Sequence, residues 1–134
     1  MAAQPHRVTR QSVTSLRGVT ATFPSGDAFA HLVFFTTQRD QVRLLSPWLP
    51  WVRRWAAHAP GLRVWHLAAN HDLQEDDAPD WSSWLVDTSP FSEGGPNTPD
   101  IWIIDADRRM RWHGSGPPFP RRIRTIERVL RELE

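Results

Sequence analysis

Apolar positions along the 134-residue chain change period several times, and each change marks an element. The first long run, HLVFF from His31 to Phe35, is continuous rather than alternating, as expected of a strand buried on both faces of a parallel sheet. After Thr36–Gln38 the period turns helical, and the spacing predicts a helix from Asp40 to His58. One stripe on it is Leu45, Leu49, Val52 and Ala56; a second, beside it, is Leu44, Trp48, Trp51 and Trp55. Pro47 and Pro50 each remove a backbone donor, so the helix is expected to kink or break in its first half. Ala59-Pro60-Gly61 ends it. Leu62–Ala69 reads as a second buried strand, joined to the first by a crossover long enough for parallel pairing and right-handed by default.

The flanking regions follow different patterns. Residues 1–12 are polar and predict a mobile tail, leaving 13–134 as a single domain. Ser12 to Phe23 fits a short hairpin or extended arm turning at Arg17-Gly18, with Leu16, Val19 and Phe23 available to cover an edge. Pro24-Ser25-Gly26-Asp27 is turn chemistry. From residue 70 to 98 no long element is predicted. An acidic cluster (Asp72, Glu75, Asp76, Asp77, Asp80) is followed by Trp81, Trp84 and Leu85, which allow one helical turn or a short strand, and then by a Pro/Gly-rich loop. Asp100–Asp105 is a third strand, and Ala106–Arg109 turns it back into Met110–Gly114 as an antiparallel partner. A final helix spans Arg121–Leu133, with Ile123, Ile126, Leu130 and Leu133 on one face and a solvated Glu127–Arg131 pair on the other.

Composition changes this picture mainly by exclusion. Forty per cent hydrophobic and 23% charged residues place the chain among globular proteins, not disordered ones. A formal net charge of +1 gives no global field for nucleic acid. All sixteen cationic side chains are arginine, and Arg108, Arg109, Arg111, Arg121, Arg122 and Arg124 could meet phosphate. No nucleic-acid motif accompanies them, so they read as a solvated hairpin tip and helix start. The absence of cysteine removes disulfides, thiolate catalysis and thiolate metal sites together. His66 and His71 beside the acidic cluster match no metal spacing, and Asp105 with Asp107 lacks the remaining ligands of a calcium loop, so no metal or cofactor is implied. Thr36, Thr37 and Ser46, near His31, read as capping and strand-end hydroxyls, not nucleophiles. No stretch reaches membrane-spanning or signal-peptide length. With Met1 as the natural start the expectation is a cytoplasmic protein; a trimmed chain would leave the periplasm open.

Eight tryptophans against no tyrosine is the strongest bias. Trp48, Trp51 and Trp55 form a broad apolar face on the predicted helix. It would contact another chain, a homodimer included, or be covered by the N-terminal arm.

The order β-α-β, variable segment, β-β-α resembles the thioredoxin fold: an α/β domain with a central mixed sheet flanked by helices. Two motifs narrow the resemblance to the branch containing periplasmic thiol-disulfide oxidoreductases and cytochrome maturation proteins. The first of that branch, F-W-A-x-W-C-x-x-C-R-x-x-x-P, aligns without gaps with Phe34–Pro47. Phe34, Arg43 and Pro47 coincide, while Arg39 and Val42 stand at the two cysteine positions and Gln38 replaces the tryptophan before them. The second, G-x-P-x-T or T-P followed by an apolar strand and I-D, is similar to Gly95–Asp105. The resemblance implies a cis Thr98–Pro99 bond and a groove between the strand-to-helix turn and the proline loop, where the family binds extended peptides. Gln38, Arg39, Asp40, Asn97, Thr98 and Pro99 would line it here. Thiol exchange needs a thiolate, so the resemblance leaves peptide capture without redox chemistry and an unidentified protein partner. The alternative is a non-thiol enzyme or an anion-binding protein, with Arg39 at a helix N-terminus holding a carboxylate or phosphate.

Overall fold

The computed structural model describes residues 7–69, 83–86 and 99–134. Among the described residues seven strands form one mixed sheet: β1 (Gln11–Ser15), β2 (Thr20–Phe23), β3 (Ala30–Thr36), β4 (Leu62–Ala69), β5 (Ser83–Val86), β6 (Asp100–Asp105) and β7 (Met110–Ser115). Their spatial order is β2-β1-β5-β4-β3-β6-β7. β3 pairs in parallel with β4 and antiparallel with β6, while β4 and β5 are parallel. The continuous apolar run from His31 is thus the centre of the sheet, and all seven β3 residues are buried. The Ser12–Phe23 stretch is the expected hairpin, with Gly18 at φ +86° supplying the turn conformation that side chains disfavour. Trp84 and Leu85 lie in the short strand β5.

The predicted long helix is broken, as its prolines require. It comprises α1 (Arg39–Val42), a 3-10 segment (Arg43–Trp48) and α2 (Leu49–His58). Pro47 sits in the 3-10 segment and Pro50 in the first turn of α2, where the missing donor is spare. The last helix, α3 (Pro120–Leu133), buries Ile123, Ile126, Val129 and Leu130.

One sheet face packs under α2 and α3. Leu32, Phe34, Ile101 and Ile103 meet Leu45, Trp48, Val52 and Trp55 there, together with the buried face of α3. On the other face the hairpin contributes Val13 and Phe23, with Val8, against Val33, Trp65, Trp102 and Ile104.

Within the N-terminal segment Val8 is buried, its amide donates to the Arg108 carbonyl at 2.7 Å, and β1 begins at Gln11. One expectation changes here. Trp48 and Trp55 are not an outward surface, being 0% and 5% exposed. The amphipathic face of α3 needed an apolar partner, and this stripe is it. Trp48 packs edge-on against Phe34 at 5.5 Å, and its Nε1 donates to the Gly116 carbonyl at 3.2 Å. Trp51 is half-buried, with Arg54 lying 6.0 Å from its ring. The apolar area on which a homodimer through this face was argued is therefore largely spent within the monomer.

Candidate functional site

The corner where β3 gives way to α1 is held by a buried glutamine. Gln41, 3% exposed, turns its side chain back over the turn, and its Oε1 accepts from the Thr37 amide at 2.7 Å and the Gln38 amide at 3.3 Å. The Gln41 amide donates in return to the Gln38 carbonyl at 3.1 Å. This reciprocal arrangement satisfies donors that a helix start leaves orphaned, and it fixes the strand-to-helix geometry without help from a disulfide.

Gln38, Arg39 and Asp40 are exposed on the outside of this turn. Val42, at the second cysteine position of the related motif, points inward instead. It is buried against Ala68, with Leu16 from the hairpin turn and Leu85 from β5 packed around it. The two cysteine positions thus hold an exposed cation and a core aliphatic. Neither can form a thiolate or transfer electrons.

Pro99 immediately precedes β6 and is buried. Phe35 pairs with Asp100, so the antiparallel register brings Pro99 level with Thr36, one residue before the turn. Sequence reasoning placed Gln38, Arg39, Asp40 and Pro99 at one site, and the backbone does bring these four to the same end of the sheet. Asn97, Thr98 and the expected cis bond lie outside the described residues, as do His71 and the acidic cluster. Among described residues the cis bond is Phe23–Pro24.

A polar chain crosses the sheet behind the corner. Thr36 Oγ1 lies 2.8 Å from His66 Nε2, and His66 Nδ1 lies 3.0 Å from Ser83 Oγ. Hydroxyls can donate or accept, so the fully buried imidazole is satisfied on both sides in its neutral form. Thr36 thus bonds as a strand-end hydroxyl, to His66. Asp100 is also buried at this end of β6, with His113 Nε2 at 3.5 Å from its Oδ1 and the His113 ring stacked on Trp102 at 3.8 Å.

His31 sits deeper, away from the turn. Its Nδ1 accepts from Trp65 Nε1 at 3.0 Å. Burial drives its pKa down from 6.5 to about 4. Asp105 holds the β6–β7 turn. Burial would raise its pKa, but the Arg109 amide, the Arg111 guanidinium at 2.6 Å and the Asp107 amide outweigh it and hold the carboxyl below its usual value. Arg111 is thus committed to a structural ion pair, and Arg122 donates to the Pro117 carbonyl beside Phe119. Among the described residues no group of three His, Asp or Glu side chains is placed to hold a metal ion, and no helix is long and apolar enough to cross a membrane.

Gln41, Ser83 and Asp100 were missed from sequence, and His66 was weighed there only as a metal ligand. The signals were available: a glutamine three residues after the turn is a capping pattern, and a histidine inside an apolar strand must be bonded to persist there.

The sequence matches no family model and no curated protein. Its structure is similar to several solved ones. A thiol:disulfide interchange protein of the thioredoxin family from Chlorobium tepidum superposes with a TM-score of 0.62 at 16% identity, covering 100% of both chains. The pneumococcal exposed lipoprotein thioredoxin Etrx1 from Streptococcus pneumoniae gives 0.65 at 12% identity, over 92% of this chain and 99% of that one. A member of the Sco family of cytochrome c oxidase assembly proteins gives 0.63 at 9% identity, over 96% and 94%. At these identities the likeness shows the fold.

Proposed function

From a thioredoxin-like fold without cysteine, we propose that this protein is a redox-inactive binding or assembly module. It takes an extended segment of a partner protein across the corner formed by Gln38, Arg39, Asp40 and the start of β6 at Pro99. Asn97 and Thr98 complete the groove by sequence. The observation that carries the reading is the Gln41 cap. The turn keeps its strand-to-helix geometry through a buried side chain, while the positions flanking Gln41 and Asp40 have no thiol to contribute. Strand-like capture draws its affinity from main-chain hydrogen bonds and its selectivity from alternate side chains, so it needs no sulfur. The partner face is this corner and not Trp48 or Trp55, which the monomer buries.

The alternative of anion binding or non-thiol catalysis would rest on Arg39. It gains little from helix polarity, because α1 runs for only four residues before the 3-10 segment.

The test is selection from a displayed library of random linear peptides, followed by affinity measurement on wild type and on Arg39→Ala combined with Asp40→Ala. Selected peptides should share an extended, Pro- or Gly-poor core and bind the double variant at least tenfold more weakly. A library that yields no binder, or binders indifferent to both substitutions, would remove the proposal.

A further inference from the structure

A second recess lies on the opposite face of the sheet from α2 and α3. β5 pairs with β4 from His66 onward, so among the described residues the Arg63–Trp65 end of β4 has no β5 neighbour. The hairpin reaches over it, setting Phe23 edge-on to Trp65 at 5.0 Å. Between them is a cavity of about 440 Å³, lined by Arg10, Thr22, Ser25, Arg63, Trp65 and Trp84 among others. That volume lies in the range of small-molecule sites, about 300 to 1,000 Å³.

The lining has a definite chemistry. Trp65 and Trp84 have ring centroids 5.8 Å apart and together make an aromatic wall. The Trp65 indole N–H is already given to His31, which leaves its ring surface as what it can offer. Trp84 Nε1 is buried without a hydrogen-bond partner. Arg10 is exposed, and among the described residues it has no ion-pair partner and no acidic side chain lines the recess. Arg63 gives one Nη2–H to Asp27 at the rim, which leaves most of its five donors for another acceptor. Among the described residues, two guanidinium groups against one carboxylate leave one positive charge in excess.

We propose that this cleft binds a small planar aromatic anion of the aromatic-carboxylate class, its ring against Trp65 and Trp84 and its charge met by Arg10 and Arg63. Guanidinium matches a carboxylate in a planar, two-pronged fashion, and indole favours offset or edge-on contact with a second ring. The site is separate from the β3–α1 corner and stands or falls independently of peptide binding there.

The probe is 2-naphthoate, titrated into the full chain and followed by calorimetry and by indole 1H–15N shifts, with Trp84→Phe to assign the Trp84 signal. Neutral 2-naphthamide and non-aromatic cyclohexanecarboxylate are the comparators. We expect saturable 2-naphthoate binding at least tenfold tighter than either comparator, shifts at Trp65 and Trp84, and at least tenfold weakening in Arg10→Gln/Arg63→Gln. Arg10→Glu, at an exposed position with no ion pair to lose among the described residues, should weaken binding similarly with an unchanged melting temperature. Absence of saturation, equal affinity for 2-naphthamide, or wild-type affinity in Arg10→Glu would each overturn the assignment.

Discussion

Acid should destabilise this protein through His31 before its carboxylates matter. The imidazole is 1% exposed, its Nδ1 accepts from the Trp65 indole, and Phe23 lies edge-on at 6.3 Å. Protonation would put a second donor opposite the indole N–H and a charge into an aromatic pocket. The Ser25 backbone and Asp27 favour the charged form and Arg63 opposes it, but burial outweighs them. An unfolded histidine takes its proton near pH 6.5, whereas the folded one waits until about pH 4. Between those values the unfolded state binds more protons, so stability must fall as pH falls through the window and level off below it. The displacement corresponds to about 3 kcal/mol at 1.36 kcal/mol per pH unit. Asp105, held below its usual 3.8, loses its contribution only beneath this window. Urea unfolding at half-unit steps from pH 7.5 to 4.0 should show the loss in wild type. His31→Phe should start about 1–3 kcal/mol less stable at neutral pH, because Trp65 Nε1 loses its acceptor, but its curve should be flatter by the His31 share. Parallel curves for the two proteins would refute the reasoning.

Three further outcomes follow from the packing. Gln41→Ala strips the acceptor from two amides at the turn and should cost about 1–3 kcal/mol in urea unfolding, with faster hydrogen exchange confined to Thr37 and Gln38. Trp48→Ala opens a cavity between Phe34 and α3 and should cost about 3–5 kcal/mol, so any partner it loses should be lost in proportion to unfolding. Arg108 adopts φ 66° in the β6–β7 turn, a conformation that costs a residue with a side chain about 1 kcal/mol; Arg108→Gly should therefore raise the thermal midpoint, and a lowered midpoint would show that the arginine side chain earns its place there.

Much of the fold was legible because its signals are local. The unbroken run at His31–Phe35, the proline pair in the first helix and the alternating end of Asp100–Gly114 each state their element directly. The direction of the tryptophan stripe was not legible, since two apolar faces competed for one sheet and the third partner, α3, comes seventy residues later in the chain. The burial of Val8 was illegible for a related reason: it is a lone apolar residue in a polar stretch, and only the docked hairpin shows what it covers. At the proposed site, the motif comparison named Gln38, Arg39, Asp40 and Pro99, because missing cysteines are read against a fixed spacing. The Thr36–His66–Ser83 chain spans three strands distant in sequence, and no pattern along the chain could pair them.

The central claim is that the corner between Gln38 and Pro99 captures an extended peptide without redox chemistry. Amide-shift mapping with a library-selected peptide on the isotope-labelled full chain tests it most directly. Shifts should concentrate in Thr36–Gln41 and Pro99–Ile101, with new exchange protection on the amides of those segments. Shifts centred on α2, on β7 or on the hairpin cleft, with the corner unmoved, would contradict it.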